Sequence, residues 1–221
     1  MLGLEFNNKD GQGIKILCLG AHCDDIEIGC GGTLSNMLGK YKNAEVHWVV
    51  LSSDSRREKE ARSSANLFLR NAKIKNILVK KFRNGYFPYV GGEIKDYFED
   101  LKNNFSPDVI FTHYRLDIHQ DHRVTSDLTW NTFRNNFILE YEIPKFDGDF
   151  GSPNLFVPLK YPDCQRKVNK ILKSFTSQSE KHWFTEELLL STLRIRGMEC
   201  CSSTNYAEAF YCRKISITID E

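Results

Sequence analysis

The chain has 221 residues, 41% of them hydrophobic, which is enough for one sizeable core and calls for no second domain, so a single domain over 1–221 is expected. A formal net charge of +1 excludes a broad polyanion-binding surface, and with it a nucleic-acid partner, while leaving room for a local basic pocket. The polar stretch 1–13 lacks the pattern of a secretory signal, no run approaches the roughly 18 apolar residues of a membrane span, and the seven scattered cysteines without Cys-x-x-Cys spacing read as reduced core thiols, so a cytoplasmic protein with no integral membrane segment is expected.

In chain order, residues 14–20 form an aliphatic run closed by Gly20 and read as a buried strand. The glycines at 29, 31 and 32 then predict a tight turn into a helix over 33–40. A second strand is expected at 45–51, followed by a Ser-Ser-Asp-Ser loop suited to capping a helix over 56–71. A third strand at 76–82, a helix at 94–104 ended by Pro107 and a fourth strand at 108–114 complete the regular part. From Tyr141 the pattern loosens: Pro144, a turn-rich 146–154 and then 155–159 suggest short antiparallel strands or a long loop near the site, ahead of helices at 167–175 and 186–195. The alternating segment 210–219 predicts a closing edge strand. Strand-helix alternation of this kind implies an α/β fold, a Rossmann-like, mostly parallel sheet flanked by helices, with a less regular C-terminal part. Sites in such sheets lie outside the carboxyl ends of the strands.

Two clusters of ionisable residues follow predicted strands. The first is Ala21-His22-Cys23-Asp24-Asp25, in which adjacent carboxylates repel and carry a desolvation cost that a divalent cation would offset. His22 and Asp25, three apart on a turn, can face one ion, with Asp24 projecting differently and free for proton transfer. The second is Asp117-Ile118-His119-Gln120-Asp121-His122, where two histidines three apart share a face and an intervening acid can hold an imidazole in one tautomer. Both clusters fall on the same sheet edge and can meet.

These residues resemble the LmbE-like, PIG-L-type metal-dependent deacetylases, which remove acetyl from N-acetylglucosaminyl groups. The first family signature, Ala-His-Pro-Asp-Asp with a glycine-rich continuation, is matched by 21–33, with Cys23 in place of proline. The second, His-x-Asp-His, is matched by 119–122, and weaker likeness continues through Ser177-Gln178 to 206–210, so the resemblance spans most of the chain. It implies a metal held by His22, Asp25 and His122, with Zn2+ as first choice and Fe2+ compatible with the same ligand set. It also implies Asp24 as general base and a protonated His119, oriented by Asp121, as oxyanion stabiliser or acid. Spacing alone does not separate His119 from His122 as the ligand. The implied substrate is an N-acetylated amino sugar, free or attached to a nucleotide, lipid or glycoside; the oligomeric state is open.

Arg56 and Arg57, after the second strand, are expected to bind substrate hydroxyls or phosphate, or else to form a solvated helix face beside Glu58 and Glu60. Phe82, Tyr86, Phe87 and Tyr89 read as a sugar-stacking wall or as core. Glu27 reads as a supporting or helix-starting acid and Glu208 as a pocket residue, while His47, His113 and His182 read as structural, with His113 near enough to line the site. Two rival functions remain: a nucleotide-binding module that cradles phosphate on 29–32, opposed by the repulsion of Asp24 and Asp25, and a catalytically silent carbohydrate-binding protein.

Overall fold

After the exposed Lys15, strand β1 (Lys15–Gly20) carries no polar side chain because both of its faces are covered. Ile16 and Cys18 enter the core on one side of the sheet, Leu17 and Leu19 the core on the other. The structure, a computed structural model, describes residue 3 and residues 13–216. After β1 come α1 (Asp25–Lys40), β2 (Glu45–Val50), α2 (Ser55–Phe68), β3 (Ile74–Val79), α3 (Gly91–Asn104), β4 (Val109–His113), α4 (Gln120–Thr132) and β5 (Phe137–Tyr141). The chain ends in β6 (Leu155–Leu159), α5 (Tyr161–Ser174), α6 (Glu186–Glu199) and β7 (Tyr206–Cys212). Among the described residues no helix is long and apolar enough to cross a membrane.

The seven strands lie in the order β3-β2-β1-β4-β5-β7-β6. The first five in that order are parallel, and β7 runs antiparallel between β5 and β6. Helices α1, α2 and α5 pack together over one face and α3 with α4 over the other. The chain leaves β1 toward β2 on one side and returns to β4 on the other, so the carboxyl ends of β1 and β4 flank a topological switch point, where α/β sheets open a crevice. Both ionisable clusters follow these two strands.

Several elements differ from expectation. The segment around 210–219 is not an edge strand: β7 is buried between two neighbours, and the outer position belongs to β6, whose Pro158 lacks a donor and suits an edge. Residues 217–219 of that expectation lie outside the described residues. Helix α4 and strand β5 were not separately expected, because α4 is rich in Thr, Ser, Asp and Asn and β5 is short.

The largest difference concerns the glycines. They do not form a turn but lie inside α1, which starts at Asp25. A Cβ on Gly29 would stand 2.2 Å from Tyr141 Cδ2, one on Gly31 2.6 Å from the Phe68 ring, and one on Gly32 2.6 Å from Leu159. The helix therefore approaches strands and neighbours more closely than any side chain permits, at about 1 kcal/mol of helix propensity per glycine. A buried pair completes the fit: Glu208 on β7 accepts the Gly32 and Thr33 N–H groups at 2.8 and 2.6 Å, and Lys167 on α5 donates to the Ile28 carbonyl at 2.6 Å and to Glu208 at 2.6 Å. Glu208 thus fastens α1 rather than lining the cluster at 22–25. Glycines committed to packing leave no phosphate cradle, which removes the physical basis of the nucleotide-binding rival.

The glycine account predicts opposite signs at two positions of one helix. Gly29→Ala, which collides with Tyr141, should lower unfolding stability by about 1–3 kcal/mol. Gly39→Ala, with nothing within 4 Å of its Cβ, should raise it by about 0.5–1 kcal/mol. Denaturant melts of both variants measure this, and equal losses would contradict close packing as the reason for Gly29.

Candidate active site

Three of the expected ligands converge where β1 and β4 end. The turn from β1 into α1 is closed by the His22 N–H, which donates to Asp25 Oδ2 at 2.6 Å. His22 Nδ1 lies 3.2 Å from His122 Nε2 and 3.5 Å from Asp25 Oδ2, and His122 Nε2 lies 3.7 Å from Asp25 Oδ1. Ligand atoms at about 2.0–2.1 Å from a tetrahedral ion stand roughly 3.3 Å from one another, so this triangle has the size of one divalent-cation site. Two imidazoles and a carboxylate leave such an ion a position for water or substrate.

Each of the two histidines has a carboxylate behind it. His122 Nδ1 meets Asp117 Oδ2 at 2.9 Å, and His22 Nε2 meets Asp121 Oδ2 at 3.3 Å and Asn84 Oδ1 at 3.0 Å. These contacts put the ring protons on the outer nitrogens and aim the inner lone pairs at the shared point. Two further groupings, His22 with His119 and Asp121, and His113 with Asp117 and His122, are also compact. Their carboxylates are engaged elsewhere, Asp121 by the Gly85 and Phe87 N–H groups at 2.6 and 3.1 Å and Asp117 by Lys145 at 2.9 Å, whereas Asp25, whose Oδ2 accepts the His22 N–H, turns Oδ1 toward His122 Nε2 at 3.7 Å.

The electrostatics are those of a site that expects positive charge. Burial alone would raise the Asp25 pKa, but His122 and His113 beside it hold the carboxyl well below its ordinary value. Burial would lower the His22 pKa, yet hydrogen bonds to Asp121 and Asp25 outweigh it and raise it to about 10. Without a cation, a proton on His22 supplies the charge that these acids require.

Asp24 takes a different direction from Asp25, as expected. Although it occupies the N-cap position of α1, its side chain caps nothing and instead accepts from Arg57 Nη2 at 2.8 Å. Arg57 is aimed by local sequence: Asp54 caps α2 by accepting the N–H groups of Arg56 and Arg57, both at 2.8 Å, which turns Arg57 inward from the first helical turn. Arg56 points away, with its side chain 69% exposed and Glu60 at 3.9 Å, so of the two arginines only Arg57 reaches the cluster. Cys23 is buried with its thiol donating to the Ser52 carbonyl at 3.5 Å. Burial pushes that thiol up to about 12, which keeps it protonated.

His119 sits at the open side of the cluster, its ring 4.5 Å from His122 and 5.0 Å from His22. Its relation to Asp121 is corrected by the structure. The Asp121 carboxylate serves His22 and the 85–87 loop, and what reaches His119 is the Asp121 backbone N–H, which donates to Nδ1 at 3.2 Å. That bond leaves the ring proton at Nε2. Burial and the neighbouring His122 and His22 lower the His119 pKa, so the ring is a neutral donor rather than an imidazolium.

Sequence reasoning gave no role to several residues of this site. Asp117 stood within the second cluster, but its partner His122 is identified only by geometry. His113, read as structural, is fully buried, stacks on His122 at 3.9 Å and has Nε2 3.1 Å from Asp25 Oδ2. Asn84 and Lys145 come from loops with no motif. Of the aromatic cluster, Phe87 is fully buried while Tyr89 is 82% exposed, so it divides between core and surface. Glu27 is buried with neither carboxylate oxygen partnered, and burial raises its pKa well above the ordinary value. His47 stacks on Phe105 and His182 lies against Phe146, both in structural roles.

Acid and imidazole side chains gathered at the switch point of an α/β sheet form a group of the kind that could hold a metal ion. The PIG-L family profile, described as GlcNAc-PI de-N-acetylase, matches residues 17–133, more than half of the chain and including both clusters, so the protein belongs to that family. Comparison with curated proteins found no match. Among solved structures, the chain is similar to the N,N'-diacetylchitobiose deacetylase of Pyrococcus horikoshii, with 23% identity, TM-score 0.69 and coverage of 89% of this chain and 82% of that one. A conserved protein of Thermus thermophilus gives 20% identity and TM-score 0.73, covering 93% and 97%. The 4-carboxy-2-hydroxymuconate hydratase of Pseudomonas putida gives 14% identity and TM-score 0.68, covering 94% and 99%. These likenesses concern the fold, and since a hydratase is among them, the fold alone does not choose the reaction.

The geometry predicts close to one divalent ion per purified chain. His22→Ala and His122→Ala should each abolish tight binding, and Asp121→Asn should weaken it about 10- to 100-fold through the lost hold on His22. Elemental analysis after dialysis measures this, and full occupancy in the two alanine variants would remove the proposed ligand set.

Proposed function

We propose that the protein is a metal-dependent deacetylase that hydrolyses the acetamide of an N-acetylglucosamine-like amino sugar. The observation that carries this reading is the convergence of His22 Nδ1, His122 Nε2 and Asp25 on one point, next in sequence to Asp24, whose carboxylate caps no helix and is held by Arg57 at 2.8 Å. Membership of the PIG-L family and the likeness to a chitobiose deacetylase support the choice of an acetylated amino sugar over other amides. Zinc is the first assignment for this ligand set, and Fe2+ shares it.

His22, Asp25 and His122 would hold a divalent cation, which when bound would supply Lewis acidity toward water and the amide carbonyl. Asp24 accepts a proton from the attacking water as the new C–O bond forms on the acetyl carbon. The Nε2–H of His119, on the open side, donates to the oxyanion that develops on the former carbonyl oxygen. As the C–N bond breaks, the proton held by Asp24 passes to the departing amine, which gives acetate and the free amino sugar. Arg57 holds the Asp24 carboxylate in place through their 2.8 Å bond. Every candidate catalytic residue for these steps is present, which weighs against the silent carbohydrate-binding reading, and acetate release separates the two.

Acetate should appear from N-acetylated amino sugars faster than from simple acetamides, and equal rates would argue against a dedicated sugar pocket. Asp24→Asn should keep the ion and lose about 10²- to 10⁴-fold in kcat. Asp25→Asn should lose affinity for the ion and recover part of its rate in excess metal. If Asp24→Asn loses the ion while Asp25→Asn keeps it and is merely slow, the roles are reversed.

The arginines should differ as well. Arg57→Gln removes a charge-assisted bond to Asp24 and should lower kcat by about 10- to 100-fold, whereas Arg56→Gln should leave steady-state rates unchanged. Similar losses from both would contradict the inward placement of Arg57 as the deciding feature.

A further inference from the structure

The connection between β5 and β6 carries a charge arrangement that the steps above do not use. Lys145 Nζ lies 2.9 Å from Asp117 Oδ2 and 2.6 Å from Asp149 Oδ2, with its side chain only 12% exposed. The same Asp117 oxygen is 2.9 Å from His122 Nδ1, while Asp117 Oδ1 accepts the His119 N–H at 2.8 Å. Asp149 Oδ2 in turn accepts the Ile118 N–H at 2.7 Å. Two carboxylates thus grip one short stretch of backbone, 117–119, and a single ammonium lies between them.

The connection is not free to follow its side chains. Arg196 on α6 holds Glu142 at 2.6 and 2.7 Å and the Gly151 carbonyl at 3.2 Å, and the Tyr211 hydroxyl on β7 accepts the Gly151 N–H at 3.0 Å. Lys145 and Asp149 stand between these two anchored shoulders, so they are presented to Asp117 from a fixed base. Removing the ammonium would leave two partly buried like charges facing each other, and the one with freedom to rotate would be pushed off its partner.

We propose that Lys145 is a positioning residue for the cation site: by bridging Asp117 and Asp149 it holds Asp117 on His122 Nδ1, so that the Nε2 lone pair faces the ion. The inference rests on the metal reading given under Proposed function and adds a residue from a segment outside both sequence motifs. Orientation of a ligand histidine by a carboxylate is worth about 10- to 100-fold in metal affinity, and the loss of Lys145 should cost an amount in that range.

The test measures zinc affinity by chelator competition and the visible absorption of the cobalt(II)-loaded protein, for the full chain and three variants. Lys145→Met should weaken zinc binding about 10- to 100-fold and shift the cobalt bands, while Lys145→Arg, which keeps the charge, should retain most of the affinity and the spectrum. Lys145→Met combined with Asp149→Asn should bind more tightly than Lys145→Met alone, because removing the second carboxylate relieves the repulsion. A merely structural role for Lys145 predicts the opposite, a further loss in the double variant, and that result would overturn the proposal. So would a Lys145→Met protein with unchanged affinity and spectrum while the unmodified chain binds one ion. If the unmodified chain itself takes up no ion, the metal reading fails, and this inference falls with it.

Discussion

The structure depends on one carboxylate placed among three imidazoles. Asp25 accepts the His22 N–H, has His113 Nε2 at 3.1 Å and has His122 Nε2 at 3.7 Å, and Asp25, His113 and His122 are buried while His22 is partly exposed. A carboxylate taken out of water costs several kcal/mol unless positive charge or hydrogen bonds offset the loss. His22 is the group in this cluster whose pKa is raised, and it carries that charge as a proton or yields the place to a cation. Asp121 and Asp117 hold the outer nitrogens of His22 and His122, so the cluster is aimed inward from both sides.

The fold supplies the proximity that this arrangement requires. Strands β1 and β4 are neighbours, although long stretches of chain separate them, and the reversal of strand order between them opens the crevice where both loops meet. Tyr141 on β5 runs beneath the site, with its hydroxyl donating to the Leu19 carbonyl at 2.6 Å and 3.3 Å from His113 Nε2. Gly29 lets α1 rest on the same ring. The glycine-rich helix, the buried tyrosine and the histidine that backs Asp25 therefore form one packed unit, and chemistry at the carboxyl edge inherits its rigidity from the core below.

Much of this was legible in the sequence, and the misses have physical causes. The parallel sheet followed from the alternation of elements, and the meeting of the two acid-histidine clusters from their places at strand ends, while the choice of His122 over His119 came from the family resemblance alone. The glycines were misread because Gly ordinarily breaks helices, and nothing local reveals that Tyr141, Phe68 and Leu159 crowd three of them from outside. The pairing of Asp121 with His119 failed for a similar reason: neighbours in sequence at a helix start turn to different partners, one inward to His22 and one outward to the opening. Arg56 and Arg57 were named together, and what separates them, the Asp24 partner of Arg57, lies on another element and could not be read from spacing. Lys145 carries no motif at all, and only the path of the β5–β6 connection brings it to Asp117.

The central claim is that a single cation belongs between His22 Nδ1, His122 Nε2 and the Asp25 carboxylate. Anomalous diffraction from a crystal of the zinc-loaded protein, collected on both sides of the zinc edge, tests it most directly. The account predicts one strong anomalous peak per chain at about 2.0–2.2 Å from each of those three groups, with Asp24 close by and not bound. A peak centred on His22, His119 and Asp121 instead, or one ligated by Asp24, would contradict it.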